Sequence, residues 1–234
     1  MPDIVEQTPC ARCPHPDLCL DPQGKLSLAR QRVRVERNQP LYRVGDPVDH
    51  HIYSIRAGSF KLERPAPHRA GSQVIDFLLP PALLGLNEIG RDRHACSAIA
   101  LEQSEVCRIR WGRAGGAHQQ PSQRSAQHAL LAAAIRRQQR VLLTQQAIRA
   151  DTRLASLLLQ LSQVHRDNGF SGNRFRLPMS RNDLASYLSV TPACVGRLFD
   201  QFAREGILTK DRREITLHCL ASVAHLAKGR AARS

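Results

Sequence analysis

The stretch SRNDLASYLSVTPACVGRLFDQFAREG, residues 180–206, decides the fold of this chain. Ser180 with Asp183 three residues on is a hydroxyl N-cap and a carboxylate near the positive end of a helix. Leu184, Ala185 and Leu188 supply the buried side of that helix. Thr191-Pro192 then opens a second one, with Thr as N-cap and Pro at the first helical position, where a missing N–H does no harm. Val195, Leu198 and Phe202 recur at helical spacing, and Gly206 suits the left-handed residue that ends a helix. Two short helices across a tight turn make a helix-turn-helix. Lys210 to Leu217 reads as a hairpin beside it, a wing.

Such a unit lays the start of its second helix in the DNA major groove. Arg197, one turn in, is the side chain placed to grip a guanine through two hydrogen bonds, and Thr191, Pro192, Ala193 and Gly196 line the same end. Arg181, Arg212 and Arg213, with Lys210, are expected at phosphates, fixing register rather than reading bases, and Ser180 is a further DNA-binding candidate. The competing readings of Arg197 are a surface ion pair with Asp200 or Glu205, or a phosphate contact. Composition favours the nucleic acid: 34 Lys and Arg against 20 Asp and Glu leave a formal charge of +14, which suits a polyanionic partner.

Upstream, residues 126–150 carry Leu130, Leu131, Ala134, Ile135, Val141, Leu142 and Ile148 at mostly helical spacings without Gly or Pro. This is one long amphipathic helix. A parallel copy of itself is a natural partner, with Leu131, Ala134, Ile135, Gln138, Val141, Leu142 and Ile148 at the seam; packing within its own subunit is the other reading. Arg136, Arg137 and Arg140 lie near that seam or on a solvated outer face. A further helix covers residues 153–164. Between residues 25 and 120 the text is strand-like: Leu41 to Asp46 leads into a turn, and His51 to Gly58 alternates as a half-buried strand. Phe60 to Glu63, Val74 to Leu79 and Glu105 to Trp111 continue the pattern, which suggests a roll or barrel.

Residues 1–24 form a Cys-, Pro- and Asp-rich arm containing Cys10-x2-Cys13-x5-Cys19, and Cys107 lies far downstream. Four thiolates close either an iron–sulfur centre or a zinc site, and spacing alone leaves both open. Cys96, after the polar stretch Arg91 to His94, competes with Cys107 for the fourth position. Cys219 reads as an ordinary thiol packed in the last helix, and Cys194 takes no role. No apolar run approaches a membrane span, and the first residues carry neither a basic start nor an apolar core. A cytoplasmic protein with reduced thiols is expected. The chain shows no Gly-rich phosphate loop, nucleophile elbow or paired carboxylates, so an enzyme is not.

A thiol arm, a β-roll, a long helix and a winged helix-turn-helix, in that order, resemble the CRP/FNR superfamily of bacterial transcription regulators. The Cys10, Cys13, Cys19 spacing and Cys107 within Ser104-Glu105-Val106-Cys107 are similar to the FNR branch, whose members are oxygen-responsive. Leu41 to Gly58, Gly169-Phe170-Ser171, Phe175-Arg176-Leu177 and Val195-Gly196-Arg197 fit the same pattern. The resemblance implies an α+β fold: a jelly roll like that of cyclic-nucleotide-binding domains over 25–125, a dimerisation helix over 126–150 and a DNA-binding domain over 151–234. It implies a [4Fe-4S] cluster on Cys10, Cys13, Cys19 and Cys107 that controls dimerisation, a palindromic double-stranded DNA site, and RNA polymerase as partner. Haem sensing with His50, His51 or His94 is an alternative within the superfamily. Pro81-Ala82 stands where cyclic-nucleotide binders carry Gly-Glu, and no Arg-Ser follows, so no cyclic nucleotide is expected. Ala193 and Gly196 replace the Glu and Ser usual in FNR reading helices, so the usual half-site does not carry over.

Overall fold

The computed structural model describes residues 4–5, 31–66, 71–111, 121–147 and 149–229. They fall into two compact units, residues 1–137 and 138–234.

The first unit is an antiparallel roll. One sheet has the order β1-β2-β9-β4-β7, from β1 (Ile4–Val5), β2 (Gln31–Val35), β9 (Ser104–Arg110), β4 (His51–Ala57) and β7 (Leu83–Leu84). The other has the order β3-β8-β5-β6, from β3 (Pro40–Tyr42), β8 (Ser97–Ala100), β5 (Phe60–Pro65) and β6 (Ser72–Leu78). Val33, Val35, Tyr53, Ile55 and Val106 from the first sheet meet Tyr42, Phe60, Leu62, Leu78, Ala98 and Ala100 from the second in one core. Phe60 is completely buried, worth roughly 1.5–3 kcal/mol, and Ala98 and Ala100 leave room for it.

Four strands of the roll lie beyond the sequence reading. β1 belongs to what reads as a patternless arm, and β7 is equally short. β2 did carry a signal, since Val33 and Val35 point inward while Arg32 and Arg34 alternate with them. β8 is small and weakly β-forming. The residues of β4 keep the alternation read from sequence, but the strand is not half-buried: Ile52, Tyr53, Ser54 and Ile55 are buried in succession. Tyr53 and Ile55 enter the core, whereas Ile52 packs on the opposite face with Cys107 and Ile109.

Helix α1 (Pro121–Gln146) begins and ends several residues before the expected bounds. Its Arg137 is half-buried rather than fully on a solvated outer face. The guanidinium donates through Nη1 and Nη2 to the buried Asp76 carboxylate in β6, and Nη2 also donates to the Phe77 carbonyl at 2.7 Å.

In the second unit, α2 (Ala150–Asp167) is longer at both ends than expected and packs against α5 (Leu220–Ala227). α3 (Arg181–Leu188) and α4 (Pro192–Arg204) form the helix-turn-helix. The hairpin β11 (Leu208–Asp211) and β12 (Glu214–Leu217) is joined by β10 (Arg174–Arg176), which pairs Phe175 with Ile215 and makes the wing three-stranded. Cys219 is exposed at the N-cap of α5 rather than packed in that helix. Among the described residues no helix is long and apolar enough to cross a membrane.

Gly58 holds the turn between β4 and β5. Its φ is +82°, and a β-carbon there would lie 2.2 Å from Ser104 Oγ and 2.7 Å from the Ser104 Cα. Gly58→Ala should therefore cost about 2–3 kcal/mol, seen as a lower urea midpoint for the roll.

Candidate functional site

Two sites are built by this fold, one in each unit. The DNA-reading site begins with local capping. Ser180 Oγ accepts from the Asp183 N–H at 3.0 Å while the Asp183 carboxylate accepts from the Ser180 N–H at 3.0 Å, a reciprocal box that fixes the start of α3. Thr191 Oγ1 accepts from the Cys194 N–H at 3.2 Å and starts α4. The buried side chains Leu184, Leu188, Val195, Leu198 and Phe202 clamp the two helices together. Gly206, at φ +66°, closes α4 as expected.

The outer side of α4 is left to solvent. Thr191, Pro192, Ala193 and Arg197 are exposed, and Gly196 and Cys194 are half-buried. Among the described residues Arg197 makes no ion pair with Asp200 or Glu205; Glu205 instead accepts from Gln201 Nε2 at 2.8 Å. Its guanidinium is available to a base edge. Beside it lies Arg181, whose Cζ is 4.0 Å from the place a Gly196 β-carbon would take. Lys210 stands 4.3 Å over the Phe199 ring. Burial, then the nearby Arg181, holds the Lys210 amine below its ordinary value, with Asp200 acting against them. Arg212 and Arg213 occupy the tip between β11 and β12, Arg212 at φ +51°. The structure thus brings Ser180, Arg181, Thr191, Pro192, Ala193, Gly196 and Arg197 together on α3 and α4, and puts Arg212 and Arg213 on the wing.

The second site centres on Cys107. In β9 its cross-strand partners are Arg32 on β2 and Ser54 on β4; the row continues to Val5 on β1 and to Leu83 on β7. Directly opposed residues share a face, so Arg32, Cys107 and Ser54 lie side by side on the face turned away from the core. Cys107 is 1% exposed, against Ile52 and Ile109, with Leu83, Leu86 and Trp111 at the border. Arg32 Nη1 reaches Glu105 Oε1 at 3.3 Å. Cys10, Cys13 and Cys19 lie outside the described residues. Among the described residues no group of three or more His, Cys, Asp or Glu side chains is placed to hold a metal.

Cys96, the rival fourth thiol, is turned the other way. It packs in the inner core with its Sγ 3.4 Å from Glu88 Oε1, and burial together with that carboxylate pushes its pKa up to about 12. It is a poor thiolate. His94 stacks on Tyr42 at 3.9 Å, and burial holds its pKa below the ordinary value; His51 Nδ1 lies 3.2 Å from Asp49 Oδ1.

On α1, Ile135 and Leu142 are 59% and 56% exposed, one heptad apart, with Gln138 exposed between them and Leu131 and Ala134 half-buried. Leu143, absent from the expected seam, is also exposed. Val141 departs from the expectation: it is 4% exposed within its own chain and is not free for a second copy. Ile148 lies outside the described residues.

Comparison with known proteins gives consistent matches. The Crp-like helix-turn-helix domain matches residues 152–226, and the cyclic nucleotide-binding domain matches residues 32–114. The transcriptional regulatory protein btr of Bordetella pertussis is 38% identical over 201 residues, covering 85% of this chain and 82% of its own. The transcriptional activator protein anr of Pseudomonas aeruginosa is 30% identical over 227 residues, covering 94% and 91%. The solved structure of FixK2 from Bradyrhizobium japonicum superposes with a TM-score of 0.74 at 22% identity, over 88% of this chain and 100% of that one, and shares the fold.

Gly196 sits inside α4, where a β-carbon would meet Arg181 Cζ at 4.0 Å, an ordinary van der Waals distance. Gly196→Ala should raise the stability of the second unit by about 0.5–1 kcal/mol, measured by thermal melting. Arg197→Ala should cost about 1–3 kcal/mol at the preferred site while leaving binding to random DNA nearly unchanged, measured by competition titration.

Proposed function

Because this chain belongs to the CRP/FNR superfamily of bacterial transcription regulators, we propose that it is an oxygen-responsive regulator whose promoter binding is governed by a [4Fe-4S] cluster on Cys10, Cys13, Cys19 and Cys107. The observation that carries this reading is Cys107 itself. Its thiol is buried on the outer face of the roll, in one cross-strand row with Val5, two strands away. Val5 and Gln31 bracket the segment bearing the other three thiols, and both are in this ladder. From Val5 to Cys10 the chain can span up to about 17 Å, against about 10 Å across two strand spacings. The donor set fits: soft thiolates, a cation beside the one described, and apolar surroundings that keep water away.

When bound, such a cluster supplies oxygen sensitivity; the chain's own residues do the rest. Cys107 would tie the arm to β9. Arg137 fixes its stretch of α1 to β6 through Asp76 and Phe77. The exposed stripe through Ile135, Gln138 and Leu142 would pair with the same stripe of a second copy. Two α4 helices would then address half-sites about 34 Å apart on a palindromic DNA site, with Arg197 reading and Arg181, Arg212 and Arg213 holding phosphates. RNA polymerase is the partner this role implies. A cyclic nucleotide has no part in this reading, consistent with Pro81-Ala82 in place of Gly-Glu.

Protein prepared without air should contain iron and acid-labile sulfide and bind operator DNA roughly 5–150-fold more tightly than after exposure to air. Cys107→Ser should abolish the cluster and reduce anaerobic binding to the aerated level, whereas Cys96→Ser should retain both. Zinc in place of iron, or binding indifferent to air, would overturn the reading.

A further inference from the structure

We propose that Ser54 positions the Cys107 sulfur, its hydroxyl donating a hydrogen bond to that sulfur once it serves as a thiolate ligand. The inference rests on the role given to Cys107 above. Ser54 is 1% exposed, and among the described residues its Oγ is buried with no hydrogen-bond partner. Native proteins rarely keep a buried hydroxyl in that condition, and the exceptions call for a reason, such as a group that completes the site. The ladder supplies one. Ser54 and Cys107 are direct cross-strand partners, so their side chains rise from the same face with β-carbons about 4.5–5.5 Å apart. Rotation of a serine hydroxyl covers that gap.

The other neighbours are already accounted for. Ile52 and Ile109 are apolar, and Leu83, across from Ser54 on β7, is apolar too. Arg32, on the far side of Cys107, is committed to Glu105. Ser54 is therefore the donor in this row with nothing else to bond. A hydrogen bond to a ligating sulfur withdraws charge from it and makes the centre harder to oxidise. The predicted effect is slower loss of the cluster in air.

The test uses full-length protein prepared without air, comparing parent, Ser54→Ala and Ser54→Thr. In the parent, an iron–thiolate stretching band in the resonance Raman spectrum should shift between water and heavy water. Ser54→Ala should lose that shift, and its cluster should bleach in air ~3–10-fold faster; Ser54→Thr should recover both. In cluster-free protein the sign reverses, since Ser54→Ala removes an unbonded hydroxyl and its melting temperature should hold or rise. A purely structural serine would lower the melting temperature in both forms. Cluster-bearing protein in which Ser54→Ala matches the parent in Raman shift and bleaching would overturn this inference and leave the reading of Cys107 standing. Parent protein without iron or sulfide would overturn both.

Discussion

The structure depends on β4 and β9 being buried on both faces. A roll strand ordinarily buries alternate residues, yet Ile52 to Ile55 are buried without a break, and Val106 and Cys107 are buried side by side. Both faces being dry pins the register, because a slip of one residue would exchange the two sets of side chains. Cys107 would then enter the core and Val106 would leave it. The Gly58 turn reinforces the register, since the Ser59 N–H donates to Ser104 Oγ at 3.2 Å at the start of β9. Only in this register does the Cys107 thiol stand between a cation and a hydroxyl.

The second consequence concerns Asp76. A carboxylate this deeply buried is costly unless paired and hydrogen-bonded. Arg137 meets that need with both terminal nitrogens, adding a bond to the neighbouring carbonyl. Bidentate geometry fixes orientation as well as distance, so α1 is held in a set rotation at this point. Along α1, Ile135 and Leu142 are exposed while Val141 is buried. Covering two large aliphatic side chains is favourable, and a second copy offers the same stripe in return.

Local chemistry was legible and long-range chemistry was not. Ser180, Asp183, Thr191, Pro192 and Gly206 announce their helix ends because each acts within four residues of itself, so the helix-turn-helix could be read outright. The Arg32-Val33-Arg34-Val35 alternation was there to be read as β2. Arg137 gave no such sign, because its partner is 61 residues away and is found only once β6 is placed. The same holds for Ser54 beside Cys107. Cys96 sits next to a polar loop in sequence, yet it turns into the core toward Glu88; its neighbours in the chain say nothing of that direction.

The reading helix carries the last step. Thr191 Oγ1 accepts from the Cys194 N–H, and Pro192, Ala193 and Gly196 offer no side-chain hydrogen bonds. On the proposed reading Arg197 is the main base reader, worth about 1–3 kcal/mol per half-site. About 4–10 kcal/mol separates specific from non-specific binding in proteins of this kind. One copy therefore falls short, while two copies at fixed spacing, at about 2–6 kcal/mol together, reach the lower part of that range. On that reading a weak reader would make pairing decisive, and anything that biased the proposed α1 seam would control occupancy of the promoter. A stronger reading helix would bind as a monomer and blunt that control.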